Sequence, residues 1–240
     1  MTTRIIETSP LSQARVTGLL YLSLLPLAIF GTLYVPARLV VPGDVAATVS
    51  SILASESLFR LGIVSALLVQ VINVVVVLLL YQLLKPVNKN MAALMVIFLL
   101  LGVPIAMLNE LSQLAILLVL KSADHLTAFT PGQWRSVVPL VVDLHALGLS
   151  IAKIFWGLWL LPMGYLVFKS GFLPRILGIL LMIGCAGYLL ESFAALLLPN
   201  LTINVALFTF WGEVLFPLWL LIKGVNVKQW ENRALIAASA

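Results

Sequence analysis

A chain of 240 residues that is 62% hydrophobic and only 10% charged cannot build a water-facing surface, since soluble domains carry about 25% charged residues. This excludes a soluble globular fold, and the length suits one bundle of spans of about 20 residues each. The net charge of +5 comes from basic residues standing singly or in pairs at the ends of apolar runs, which excludes a phosphate-tracking nucleic-acid face.

Six apolar runs follow one another, at about 16–37, 58–84, 92–120, 137–168, 175–198 and 204–222. They predict an all-α, polytopic six-helix transmembrane bundle with short loops, one domain over residues 1–240. The run from Val16 to Val35 contains Pro26 and is longer than a signal-peptide core, so it reads as the first span. After it, Asp44 is placed to cap a short amphipathic helix over 44–55, with Val45, Val49, Ile52 and Leu53 on one face, lying at the membrane interface. Before the fourth span, Thr130, Pro131 and Gln133 read as N-cap, first helical residue and capping-box partner, with Trp134 at headgroup depth. Pro139 is expected to bend the chain there. Cys185 is the only cysteine, so no intramolecular disulfide forms.

Arginine and lysine set the orientation. Arg4, Arg15, Lys85, Lys89, Lys169, Arg175, Lys223, Lys228 and Arg233 fall on one side, and Arg38, Arg60, Lys121 and Arg135 on the other. The excess predicts both termini in the cytoplasm. A parallel duplication is also suggested. Tyr81-Gln-Leu-Leu-Lys85 and Tyr165-Leu-Val-Phe-Lys169 close two hairpins, and each hairpin then carries a glutamate, Glu110 and Glu191, in its second helix.

The residues that bear on function are the ionisable ones inside spans: Glu110, Asp143, His145, Lys153, Glu191 and Glu213, joined by Gln70, Asn73, Asn109 and Gln113. A central charge costs roughly 2.5 to 3.5 kcal/mol on insertion scales, so these groups are expected to face protein or water. Small residues share their helical faces. Asp143, Ala146, Ser150, Lys153, Gly157, Leu160 and Gly164 form one seam; Gly184, Gly187, Glu191, Ala194 and Ala195 form another. Gly102, Ala106, Asn109 and Gln113, and Gly62, Ala66, Gln70 and Asn73, repeat the pattern, and Gly212 adjoins Glu213.

Four carboxylates against one lysine leave a formal −3, which a dry interior cannot hold. Protonation, pairing with Arg60 and Lys153, a bound cation, or water must offset it. The leading expectation is an outer-half polar cavity that binds or transports a proton, a cation or a small cationic solute. Glu110, Asp143 and Glu191 would wall it, Glu213 and Lys153 would form a central pair, and Arg60 would stand at the mouth. The alternatives are an intramembrane enzyme acting on a lipid, with Asp143, His145, Glu110 and Glu191 as acid–base or metal-binding groups, and a non-catalytic membrane interaction protein. His145 reads as a hydrogen-bonded packing residue, and Phe155-Trp-Gly-Leu-Trp159 as packing or lipid contact. No HExxH, GxSxG, P-loop or dinucleotide motif is present, and with two histidines a zinc site would need carboxylate ligands.

Short phrases distributed along the chain carry a family likeness. Leu39-Val-Val-Pro-Gly-Asp44, Leu58-Phe-Arg-Leu-Gly62, Leu83-Leu-Lys-Pro-Val-Asn88, Asp143-Leu-His145, Phe155-Trp-Gly-Leu-Trp159, Ser170-Gly-Phe-Leu-Pro-Arg175 and Leu218-Trp-Leu-Leu-Ile-Lys-Gly224 together resemble a bacterial membrane family, domain of unknown function 4386. The resemblance runs from about Ala14 to Asn226. It implies a multi-span protein of the bacterial cytoplasmic (inner) membrane and transfers no activity, cofactor or site residue.

Overall fold

The computed structural model describes residues 9–122, 131–198 and 205–239. The cap expected at Thr130, and the side chains of Gln133, Trp134 and Arg135, lie outside the described residues.

Helix α1 (Pro10–Leu39) starts where Ser9 Oγ accepts the Ser12 N–H at 3.2 Å and proline takes the first helical position. It contains one π turn, Phe30–Tyr34. Pro36 has no N–H to give the carbonyl four residues back, and the Val35 N–H reaches five residues back to Phe30. Helix α2 (Val45–Ala54) is capped as expected, Asp44 Oδ1 accepting the Ala47 N–H at 2.9 Å. Its inner face differs by one residue. Thr48 and Ile52 are buried while Leu53 is 47% exposed, because Leu53 sits about 100° around the helix from Ile52. The Thr48 hydroxyl donates to the carbonyls of Asp44 and Val41, which lets a polar residue take the inner place. Asp44→Ala is expected to cost about 1 kcal/mol. The cost would be read as faster amide exchange confined to α2.

Helices α3 (Glu56–Leu84) and α4 (Lys89–Ser122) form the first long hairpin, and α5 (Pro131–Leu158) and α6 (Leu160–Ser170) together form the next span. The helix is interrupted at Trp159, where Pro162 lacks the N–H that Leu158 would accept. Gly171, at φ +78°, caps α6 in the left-handed region and reverses the chain into α7 (Arg175–Leu197). A short α8 (Ala206–Thr209) and α9 (Trp211–Ile222) follow, and then α10 (Val227–Ser239).

Among the described residues five stretches of helix are long and apolar enough to cross a membrane: Pro10–Leu39, Glu56–Leu84, Lys89–Lys121, Val137–Ser170 and Arg175–Leu197. The helical pair Leu207–Ile222 and Val227–Ser239, bent by 102°, is the candidate for a sixth. Residue spacing on α3 shows what surrounds the bundle. Leu61, Val64, Leu68, Val71, Val75 and Leu78 form one exposed stripe, while Gly62, Gln70 and Asn73 face inward. Leaving such side chains in water would forfeit about 1.5–3 kcal/mol each, so the stripe faces lipid.

The spans form a closed ring in chain order. Each packs on the one before and the one after it, and α9 returns to pack on α1. At the end carrying the 85–88 and 171–174 turns, the basal end, the ring is filled by Leu80, Leu83, Met95, Met163, Leu166 and Leu181. At the opposite, distal end a second apolar cluster of Leu39, Ile52, Phe59, Ile116 and Val138 lies beneath α2. Helix α10, not anticipated as a helix, lies across the basal end. Its Trp230 Nε1–H donates to the Leu83 carbonyl at 2.8 Å, and Arg233 donates to the Lys169 carbonyl at 3.1 Å.

Candidate functional site

Between the two apolar clusters the ring encloses a cavity of about 400 Å³. That volume is ordinary for a small-molecule site. All six spans contribute to its wall, and Ile52 of α2 contributes at the distal end. Most of the lining is aliphatic, and the polar lining is sparse: Gln70, Asn73, Glu110, Gln113, His145 and Glu213. Aromatic residues cluster at the basal floor. The Tyr21 ring lies 5.8 Å from that of Trp159 and 6.5 Å from that of Phe216, and Trp156 and Tyr188 complete the floor.

Each carboxylate reaches this space for a local reason. Glu110 shares its helical face with Ala106, Gln113 and Val103, which turn inward together, and is only 7% exposed. It makes no hydrogen bond or ion pair among the described residues. Glu213 follows Gly212, whose missing side chain lets α9 lie against the α7 backbone at Leu180 and Leu181. Its Oε2 accepts from the Tyr21 hydroxyl at 3.3 Å, Tyr188 faces the same carboxylate, and Oε1 has no partner. Two more buried polar atoms on the cavity wall are unpaired, Gln70 Oε1 and Trp156 Nε1. Among the described residues no lysine or arginine lines the cavity. Two carboxylates with no cation, three unpaired polar atoms and an apolar wall make a space suited to a cationic hydrogen-bonding guest.

The other expected residues lie elsewhere. Lys153 Nζ donates to Glu191 Oε1 at 2.6 Å, tying α5 to α7 away from the cavity lining. Lys153 therefore pairs with Glu191, not with Glu213. Asp143 is on the exposed face of α5. The seam is buried at Gly157 and Gly164, Ala146 lines the cavity, and Asp143 is exposed. Arg60 is half exposed and pairs at 2.7 Å with Glu56, which also takes Lys121 at 2.8 Å. This is a distal surface network, of the kind worth at most about 1 kcal/mol per pair. Glu110 and Glu191, matched in the suggested duplication, thus sit in unlike surroundings, one facing the cavity and the other in an ion pair.

His145 acts as a tie as well as a cavity residue. Asn109 Nδ2 donates to the His145 carbonyl at 2.9 Å, and its side chain and Ser112 Oγ both lie 3.1 Å from His145 Nδ1. Gly148 makes this possible, since a side chain there would overlap the Asn109 amide. Asn109 serves the α4–α5 contact, while Asn73, 9% exposed, faces the cavity. Among the described residues no three of His, Cys, Asp and Glu are grouped closely enough to hold a metal ion.

Sequence reasoning missed Tyr21, Tyr188 and Glu56, and assigned Trp156 and Trp159 to packing or lipid. A tyrosine or tryptophan far from a headgroup layer carries a polar atom that needs a partner, and that was the available signal. For Glu56 it was the i,i+4 spacing to Arg60.

The family model described as Domain of unknown function (DUF4386) matches residues 16–224. The chain belongs to this family. A protein of Archaeoglobus fulgidus, described as uncharacterized, is 33% identical over 170 residues, which cover 70% of this chain and 86% of that relative. No solved structure matches the chain. The DUF4386 match includes all six spans and every carboxylate of the cavity and of the ion pair, and stops before α10.

Proposed function

We propose that this DUF4386 protein binds a small cationic solute in the central cavity and carries it across the membrane. The observation that supports this is the pair of cavity carboxylates, Glu110 and Glu213, with no lysine or arginine on the lining among the described residues. A charge left alone in a low-dielectric interior costs several kcal/mol, and a bound cation or proton offsets it. On this reading the whole chain is one transmembrane domain. The excess of lysine and arginine at the basal end orients both termini to the cytoplasm of the cell's inner membrane. The distal end, with α2 over the cavity, then faces outward. The lipid-enzyme alternative draws less support, because Asp143 and Glu191 lie off the cavity that holds Glu110 and His145.

The test is uptake into proteoliposomes under an inward or outward pH gradient, with methylammonium and protons as the probes, for wild type, Glu110→Gln and Glu213→Gln. Loss of a charged partner in such a site is expected to lower uptake by about tenfold or more. Equal rates in all three proteins, or rates no higher than empty liposomes, would sink the proposal.

A further inference from the structure

The two cavity carboxylates stand at different depths. Gly102 of α4 packs against Trp156, the next residue of α5, Gly157, packs against Tyr188, and Tyr188 faces Glu213. Glu213 therefore belongs to the aromatic layer that includes Gly102. Glu110 lies on the same helix as Gly102, eight residues closer to the distal end. At about 1.5 Å per residue the two carboxylates are ~12 Å apart along the bundle, before the side chains' own reach.

Between the two levels the α4 wall is Ala106, four residues from Gly102 and four from Glu110, and the cavity lining as a whole is largely aliphatic. One monovalent cation of ordinary size would neutralise only one carboxylate and leave the other alone. Inorganic divalent ions prefer several oxygen ligands converging on one point, and separated carboxylates do not provide that. The arrangement fits a chain with a positive charge at each end and methylenes between. Trp156 and Tyr188 offer ring faces near the inner ammonium, and the unpaired, 4% exposed Gln70 Oε1 offers an acceptor to an N–H of the guest.

We infer that the ligand is a linear organic dication of the α,ω-diamine or polyamine class, its two ammonium ends held by Glu213 in the aromatic floor and by Glu110 nearer the distal end. This rests on the reading of the cavity as a cation site.

The experiment uses the full chain in nanodiscs, with binding read by calorimetry and by the fluorescence of the floor tryptophans. The probes are α,ω-diaminoalkanes of increasing length and n-alkylamines of matching length. Diamines long enough to bridge the two levels are expected to bind about tenfold to a hundredfold tighter than the matching monoamines, whereas short diamines behave as monoamines. Glu110→Gln is expected to bring the long diamines down to the level of the short ones, so that affinity no longer rises once a diamine is long enough to bridge the two levels. Monoamines binding as tightly as diamines at every length would overturn the dication while leaving the cation cavity standing. Tight diamine binding unaffected by Glu110→Gln would also overturn it. Binding by neither probe class would remove both this inference and the cation reading. The length dependence is measured on wild type, so the test holds even if a variant folds poorly.

Discussion

Gly178→Val is expected to be the most damaging single substitution in the α6–α7 hairpin, costing at least about 3 kcal/mol, the upper end of ordinary overpacking. A side-chain carbon at Gly178 would lie 2.5 Å from the Gly164 carbonyl oxygen and 2.7 Å from the Phe168 nitrogen, and one at Gly164 would lie 2.6 Å from the Gly178 carbonyl oxygen. Both obstacles are backbone, so no rotamer change can make room. Stability differences of this size are a large share of the ~5–15 kcal/mol that holds a domain together. Cys185 supplies the measurement, since the only thiol of the chain is buried and reacts with a fluorogenic maleimide when the bundle opens. Gly171→Ala is the contrasting control. Nothing lies within 4 Å of that position, and the only expected cost is about 1–2 kcal/mol for a side chain at φ +78°. A melting temperature for Gly178→Val at or above that of Gly171→Ala would show that α6 and α7 do not cross this closely.

Lys153→Met is expected to cost about 3 kcal/mol, because it removes the cation facing Glu191 in a largely enclosed pair with side chains only 32% and 15% exposed. Glu191→Met alone should cost a similar amount by leaving the ammonium facing apolar surroundings. The double variant Lys153→Met, Glu191→Met should recover most of the loss, since two apolar side chains of similar volume replace a pair whose desolvation nearly cancels its attraction. The same thiol assay, run on all four proteins, gives the coupling directly. Additive losses in the double variant would mean that the two residues act separately.

These two predictions separate what the sequence discloses from what it conceals. The spans, the cap at Asp44 and the inward stripes of small residues were all readable, because each depends on local spacing: an apolar run, a carboxylate three residues before a free N–H, a glycine every third or fourth place. The existence of too much negative charge was readable too. Its partition was not. Lys153 could be matched to any of four carboxylates until the crossing of α5 and α7, where Gly157 lies against Tyr188 and Cys185, fixed Glu191 as its partner. Asp143 misled for a related reason. Its spacing put it on one seam with Lys153, yet Asp143 is exposed where Lys153 is partly buried against α7. The aromatic floor was hidden because Tyr21, Trp159, Tyr188 and Phe216 lie on four different spans and meet only when the ring closes.

That ring also governs the order in which the molecule can be assembled. Helices that pack on their immediate chain neighbours can form their contacts as synthesis proceeds, with little loop-closure entropy to overcome. The exception is the contact of α9 with α1, which joins residues about two hundred positions apart, Tyr21 and Glu213 among them. Until α9 arrives, the nascent bundle is an open trough with one carboxylate, Glu110, and its aromatic residues face an unfilled gap. Arrival of the final span therefore closes the wall and delivers the second charge in a single step. A chain halted before that span would keep most of its helix contacts and lack the site.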